Sequence, residues 1–123
     1  MHVITTSPDH VTTTPNAVMT GLAAPSRGSS ELSTWHVAMT AGATGPEHSI
    51  DREQVWTVVA GTFEVTSAGR TDKVEAGQTL LLPPDVQRRI HAPEAAEAYV
   101  AMRADALVSV PGEPEPRVLP WAR

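Results

Sequence analysis

Four polar side chains stand within or beside the predicted strands, and their types could support acid–base or anion-binding chemistry. They are His36, His48, Gln54 and Arg88. An imidazole can donate or accept a proton near neutral pH, and a guanidinium can hold a carboxylate, enolate or phenolate oxygen. The chain has no cysteine. Thiolate metal sites and cysteine nucleophiles are therefore excluded, and any metal would need histidine, carboxylate or amide ligands.

The spacing of these residues predicts that they share one interior. Residues two apart on a strand point to the same face, so positions 48 and 50, and then 54, 56 and 58, can all face inward. Pro83 ends the strand that precedes Arg88, because proline cannot donate to a sheet ladder. We therefore expect a mostly apolar pocket in which His48 is the catalytic acid or base. The expected substrate-binding residues are Arg88 as the anion anchor, Gln54, His36, Trp56 and Ile50.

Each polar residue of this predicted site also has a structural alternative. His48 could be held only by a backbone carbonyl, and Arg88 could pair with a carboxylate such as Glu53 or Glu75. Gln54 could bridge backbone groups. His36 could be a side chain of the core or the cavity wall whose hydrogen bonds are all made within the protein. The three tryptophans, Trp35, Trp56 and Trp121, are most simply packing anchors.

Short segments of period two must position these residues. In Thr34 to Thr40, Trp35, Val37 and Met39 fall on one face and His36 falls on the other. Turn residues recur every ~8 to 12 residues and separate about nine such strands, which predicts a closed or sandwiched antiparallel sheet. Eleven prolines and eight glycines argue against long helices. Only residues 93–98 and the segment after Asn16 have a composition that suits a helix.

The 123 residues are enough for one domain. We divide the chain into an extended N-terminal arm (1–30), a barrel (31–110) and a proline-rich C-terminal tail (111–123). The tail is expected to lie extended on the surface, anchored by Val118, Leu119 and Trp121.

Charge and hydropathy exclude several classes of partner. Nine Lys and Arg against 14 Asp and Glu give a net charge of −5, which disfavours nucleic acid. No apolar run approaches the ~20 residues of a membrane span, and the first residues do not resemble a signal peptide. We expect a cytoplasmic protein that has neither nucleic acid nor membrane as a partner.

Two glycine-bounded blocks carry a family resemblance. Gly42, His48, Ile50, Gln54 and Gly61 keep the spacing of a Gly-x5-His-x-His-x3-Glu-x6-Gly motif. A second block has the spacing of a Gly-x5-Pro-x-Gly-x2-His-x3-Asn motif and consists of Gly77, Pro83, Asp85, Arg88 and Ala92. This pair of motifs resembles that of the cupin superfamily. The resemblance implies an all-β, single-domain fold, an antiparallel jelly-roll β-barrel, and we expect a homodimer, since small cupins tend to pair.

The same resemblance identifies four positions that hold His, His, Glu and His around Fe, Mn, Zn or Ni in typical cupins. In this sequence those positions are His48, Ile50, Gln54 and Arg88, so one residue of the four matches by type. A permanently charged guanidinium repels a divalent cation at close range. We therefore expect no metal and no other cofactor. The alternative is a divalent transition metal in a rearranged site that contains His36 and His48.

These observations predict a small-molecule-binding cupin that acts on an anionic or oxygen-rich metabolite. Whether the protein is an enzyme stays open at this point. The favoured activity is a metal-independent isomerase or cyclase reaction with His48 as acid or base and Arg88 as anchor. A metal-dependent oxygenase or isomerase and a non-catalytic binding or sensor protein are the alternatives.

Overall fold

The computed structural model describes the whole chain, residues 1–123. Its strands are β1 (Val11–Thr13), β2 (Val18–Gly21), β3 (Leu32–Met39), β4 (Ser49–Ile50), β5 (Gln54–Ala60), β6 (Thr62–Ser67), β7 (Arg70–Glu75), β8 (Thr79–Leu82), β9 (Arg89–His91), β10 (Ala96–Arg103) and β11 (Val108–Ser109). The helical segments are three short 3₁₀ turns, at Pro8–His10, Pro25–Arg27 and Pro120–Ala122. None of them is long enough to cross a membrane.

The strands form two antiparallel layers. The first layer is a six-stranded sheet in the order β1-β2-β3-β10-β5-β8. The second contains the sheets β7-β6-β9 and β11-β4, which are joined by isolated bridges between His48 and Arg88 and between Thr44 and His91. This arrangement confirms the predicted all-β jelly-roll fold.

The core lies between the two layers and follows the alternation of the strands. On β3, Trp35, Val37 and Met39 are buried, and the residues between them are more exposed. The opposite layer contributes Phe63 and Val65 of β6 to the same core. Alternation of this kind is what a sheet with one face on the core requires. The predicted strand at 34–40 is therefore present, with its apolar face inward.

Gly61 makes the sharp turn between β5 and β6. Its φ is +67°, in the left-handed region that glycine adopts without strain. A Cβ at this position would also collide with the main chain of Ala95 and Ala96. The glycine is therefore needed both for the turn and for the close approach of the chain that leads into β10.

The two segments with helix-compatible composition contain strands and no α-helix, so that prediction was wrong. Ala96–Arg103 is β10, which pairs with β3 on one side and β5 on the other. Val18–Gly21 is β2, which pairs with β1 on one side and β3 on the other in the same sheet. Alanine and glutamate favour helices only weakly. A central place between two strands, with Ala96 and Ala98 buried, outweighs that preference.

Residues 111–117 of the C-terminal tail are exposed, and the tail is then anchored by Leu119 and Trp121, as predicted. Leu119 and Ala122 are buried in the core, and the ring of Trp121 packs edge-on against Trp35 with ring centroids 6.4 Å apart. The buried hydroxyl of Ser33 donates to the Ala122 carbonyl at 2.7 Å. Proline-rich composition indicated an extended chain correctly, but the apolar residues near the terminus complete the core.

Candidate functional site

A cavity of about 420 Å³ lies between the layers. This volume is in the usual range for small-molecule sites. The six-stranded sheet lines the cavity with Met19, Trp35, Val37, Met39 and Trp56, and the second layer contributes Ile90, Val108 and Val110. The wall is therefore mostly apolar, with few polar side chains to orient a ligand.

His48 and Arg88 are directly opposite each other in the second layer. The His48 amide donates to the Arg88 carbonyl at 3.0 Å, and the Arg88 amide donates to the His48 carbonyl at 2.8 Å. A reciprocal pair of this kind puts both side chains on the same face of the sheet. The structure thus brings together the two residues that the motif spacing predicted to meet.

The ring of His48 faces the cavity with one nitrogen fixed and one free. Its Nδ1 lies 2.9 Å from the Pro46 carbonyl oxygen, which can only accept a hydrogen bond. Nδ1 must therefore carry the ring hydrogen, and Nε2 has a free lone pair. Nε2 has no hydrogen-bond partner within the protein and is not among the enclosed polar atoms. It is available as an acceptor to a molecule in the cavity.

The surroundings of His48 keep its ring neutral. Burial lowers the pKa of His48 below its ordinary value of 6.5, the hydrogen bond to Pro46 opposes this in part, and the charge of Arg88 adds to the lowering. A neutral imidazole with a free Nε2 can accept a proton. His48 is thus a base at neutral pH.

Arg88 is a buried cation without a carboxylate partner. Its side chain is 0% exposed, Nη2 donates to the Pro83 carbonyl at 3.1 Å, and Nε and Nη1 have no partner. No ion pair of the structure involves Arg88, so the alternative of a structural pair with Glu53 or Glu75 is wrong. Burial lowers the pKa of Arg88 to about 10, so that the group remains charged at neutral pH.

The guanidinium of Arg88 does not line the cavity wall. It lies behind the wall, beside His48, and its charge can act on the cavity through the low-dielectric interior. A direct contact between Arg88 and a ligand, as predicted from the sequence, stays a prediction.

Gln54, Trp56 and Ile50 take different places around the cavity. Trp56 lines the wall, whereas Gln54 is 2% exposed and lies behind it. The Gln54 Oε1 accepts from Trp56 Nε1 at 3.4 Å, and its Nε2 donates to the sulfur of Met102 at 3.6 Å. The amide therefore contacts neighbouring side chains, not the backbone groups that were its structural alternative. Ile50, also predicted to bind substrate, is buried in the core and does not line the cavity.

His36 lies on the outer face of the six-stranded sheet. Its Nε2 is 2.9 Å from Oε1 of Glu97, and its ring centroid is 5.1 Å from that of Tyr99. The neighbours Trp35 and Val37 face the cavity, so strand alternation points His36 away from it. The prediction that His36 and His48 could share one site is therefore wrong, because the two side chains lie on opposite sides of the six-stranded sheet.

The donor set does not fit the metal that the family resemblance implied. The four corresponding positions offer one imidazole, an aliphatic side chain, an amide engaged with Trp56 and Met102, and a buried guanidinium. No group of three or more His, Asp or Glu side chains in the chain is placed to hold a metal ion. A cation beside His48 would also meet the uncompensated charge of Arg88.

Part of the cavity wall comes from the two ends of the chain, which sequence reasoning did not place there. The C-terminal tail contributes Arg117, Leu119, Pro120 and Trp121, and residues 12–17 of the N-terminal region close another side. The apolar residues of the tail were visible in the sequence as anchors. The surface against which they pack was not, because it is formed by strands distant in sequence.

Comparison with known proteins gives one family and a set of similar folds. The family model described as "Cupin domain" matches residues 35–103. An RmlC-like cupin from Shewanella frigidimarina NCIMB 400 has a TM-score of 0.65 and 23% identity, over 73% of this chain and 78% of that chain. The conserved SPY1581 protein of unknown function from Streptococcus pyogenes has a TM-score of 0.63 and 21% identity, over 71% and 73%.

A larger enzyme contains a similar fold. Salicylate 1,2-dioxygenase from Pseudoaminobacter salicylatoxidans has a TM-score of 0.73 and 19% identity, over 83% of this chain but only 31% of that chain. No curated protein sequence matches the chain. At these levels of identity the likeness establishes the fold alone.

Proposed function

The chain belongs to the cupin family, and from this premise we propose that its cavity binds a small, mostly apolar molecule whose hydroxyl or other acidic hydrogen is presented to Nε2 of His48. The observation that carries the proposal is the free, accessible Nε2 of a neutral imidazole beside a buried, uncompensated arginine. The apolar wall would hold the body of the ligand, and His48 would orient its polar end.

The same geometry supports proton transfer without a metal. Nε2 of His48 would take a proton from a carbon next to a carbonyl, and the electron pair of that C–H bond would form an enolate. The charge of Arg88 would stabilise the enolate oxygen across the low-dielectric wall. With a β,γ-unsaturated carbonyl compound the enolate is conjugated with the C=C bond, and return of the same proton from His48 to the γ-carbon completes an isomerisation in which atoms and charge balance.

A non-catalytic binding protein is the second candidate. It is favoured by the hydrogen bond between Nδ1 of His48 and the Pro46 carbonyl, which would also hold the ring of a purely ligand-orienting histidine. The two candidates share the binding step and differ in whether Nε2 moves a proton.

The binding step can be tested with 1-naphthol and its methyl ether, 1-methoxynaphthalene, by following the quenching of tryptophan fluorescence. Wild-type protein should prefer the naphthol about fivefold, the value of one neutral hydrogen bond. His48→Leu should remove the preference, and the matched control His36→Leu should retain it. Equal binding of both compounds by wild-type protein, or a preference that survives in His48→Leu, would contradict the proposal.

Proton transfer can be tested separately by the exchange of the α-hydrogens of 2-tetralone in deuterated buffer, followed by NMR. The isomerase proposal predicts faster exchange with wild-type protein than with buffer or with His48→Leu. Binding of 1-naphthol without faster exchange would instead support the non-catalytic candidate. The homodimer and the cytoplasmic location stay predictions.

A further inference from the structure

Arg117 is the only charged side chain in the wall of the cavity. It belongs to the C-terminal tail, outside the residues that match the family model. The Val108 amide donates to the Arg117 carbonyl at 2.7 Å, and the Arg117 amide donates to the Val108 carbonyl at 3.0 Å. This pairing fixes the tail beside β11 and places Arg117 at the rim of the cavity.

Arg117 and His48 flank the same strand and face the same space. β11 pairs with β4 through Val108 opposite Ile50, and His48 precedes Ile50 by two positions, on the same face. Two strand spacings across the layer and two residues along the strand separate Arg117 from His48, roughly 12 Å in all. A molecule that fills the cavity can therefore reach both of them.

The guanidinium of Arg117 has donors to spare. Its Nε donates to Oε2 of Glu113 at 3.3 Å, and its side chain is 48% exposed. A guanidinium has five N–H donors, and no other hydrogen bond of the Arg117 side chain is formed within the protein. The free edge can hold a carboxylate through two parallel hydrogen bonds.

The charge around the cavity is opposite in sign to that of the whole chain. The net charge is −5, yet the wall contains no carboxylate, and the nearby charges are Arg88 behind His48 and, at the rim, Arg117 with its partner Glu113. The protein as a whole repels anions, so any preference for them must come from these local groups.

We propose that Arg117 determines ligand specificity by selecting small apolar molecules that carry a carboxylate. This inference rests on the proposed function of the cavity as a ligand site. The carboxylate lies at the rim against Arg117, the apolar body fills the cavity, and the polar group of the other end meets His48. Glu113 competes with the ligand for the same guanidinium.

The test compares 1-naphthoate with its neutral analogue 1-naphthamide, with dissociation constants measured by tryptophan quenching. Wild-type protein should prefer naphthoate about threefold to fivefold, the upper range for a half-exposed ion pair. Arg117→Gln should abolish the preference and change naphthamide binding less than about twofold, whereas Arg117→Lys should retain part of it. Glu113→Gln should tighten naphthoate binding, because it removes the competing carboxylate.

Arg103→Gln is the matched control, because Arg103 pairs with Asp105 away from the cavity and its loss should leave both constants unchanged. The preference should also shrink at high salt, as expected for a partly exposed pair. A preference that persists in Arg117→Gln, or that is lost only in Arg88→Met, would overturn the inference. Binding of 1-naphthol and naphthamide without a preference for naphthoate would overturn the role of Arg117 alone, whereas failure of all three compounds to bind would overturn the proposed function as well.

Discussion

His36 and His48 are twelve positions apart in the sequence. They belong to different layers of the fold, and their surroundings differ. His36 stands on the outer face of β3, where Glu97 occupies its Nε2 and Tyr99 covers its ring. His48 stands at the cavity, where a main-chain carbonyl occupies Nδ1 and Nε2 stays free. The hydrogen-bond partner of each ring determines which ring nitrogen is free to act on a ligand. Of the two residues, only His48 has a free nitrogen lone pair that faces the cavity.

The difference teaches that strand register, more than residue type, selects the functional histidine. Trp35 and Val37, on either side of His36, face the cavity, so a shift of one residue would have exchanged the two faces. His48, in contrast, directly precedes the two-residue strand β4 and pairs with Arg88, which is itself buried.

The largest expected effect concerns Arg88, the neighbour that distinguishes His48 from His36. Arg88→Met keeps the buried apolar stem and removes a charge that no carboxylate compensates, at the cost of the hydrogen bond to Pro83. We expect the free energy of unfolding to rise by roughly 2 kcal/mol. Urea unfolding measures it, with the exposed Arg103→Met as control. A clear loss of stability in Arg88→Met would mean that the buried cation has a partner that stabilises the fold.

The pH dependence of stability sharpens the comparison at His48. Because the folded-state pKa of His48 lies below the ordinary 6.5, the folded protein binds fewer protons than the unfolded chain just below that pH. The free energy of unfolding should therefore decline as the pH falls from 6.5 to the folded pKa. The decline should be absent in His48→Gln and smaller in Arg88→Met, in which one cause of the lowered pKa is gone. Unfolding midpoints between pH 7 and pH 5 check this, and an identical decline in His48→Gln would assign it to another group.

The smallest effect is expected on the outer face. Glu97→Gln weakens a pair whose side chains are 23% and 48% exposed, which should cost about 0.5 kcal/mol at low salt and less at high salt. The binding of 1-naphthol should not change, because neither member of the pair lines the cavity. Weaker binding in Glu97→Gln would show that the outer face influences the site and would remove the contrast between the two histidines.

Much of the fold could be predicted from local patterns. The alternation in residues 34–40 correctly divided the side chains of β3 between two faces, and the glycine-bounded spacing predicted that positions 48 and 88 share one side of the fold, where the structure pairs them. Residues 93–98 misled the prediction because alanine and glutamate suit a helix in isolation. Their place as the start of β10, between β3 and β5, depends on pairing partners that lie more than 35 residues away in the chain.

The candidate site was predicted less completely than the fold. His48 and Trp56 reach the cavity as expected, but Gln54 and Arg88 lie behind its wall and His36 lies outside it. Arg117 was not a candidate at all. Its value as a site residue depends on the tail folding back beside β11, and no local pattern around position 117 indicates that contact.

The sequence by itself determined the strand periods, the turns at glycine and proline, the absence of thiol chemistry and the family motif spacing, because each of these depends on residues close together in the chain. Only the tertiary structure decided which face each histidine occupies, that Arg88 is buried without an anion, and that Arg117 and Trp121 complete the cavity. These features arise from contacts between distant segments. Their free energies depend on burial and on the residue that each side chain meets on another segment. Neither can be derived from neighbouring residues in the sequence.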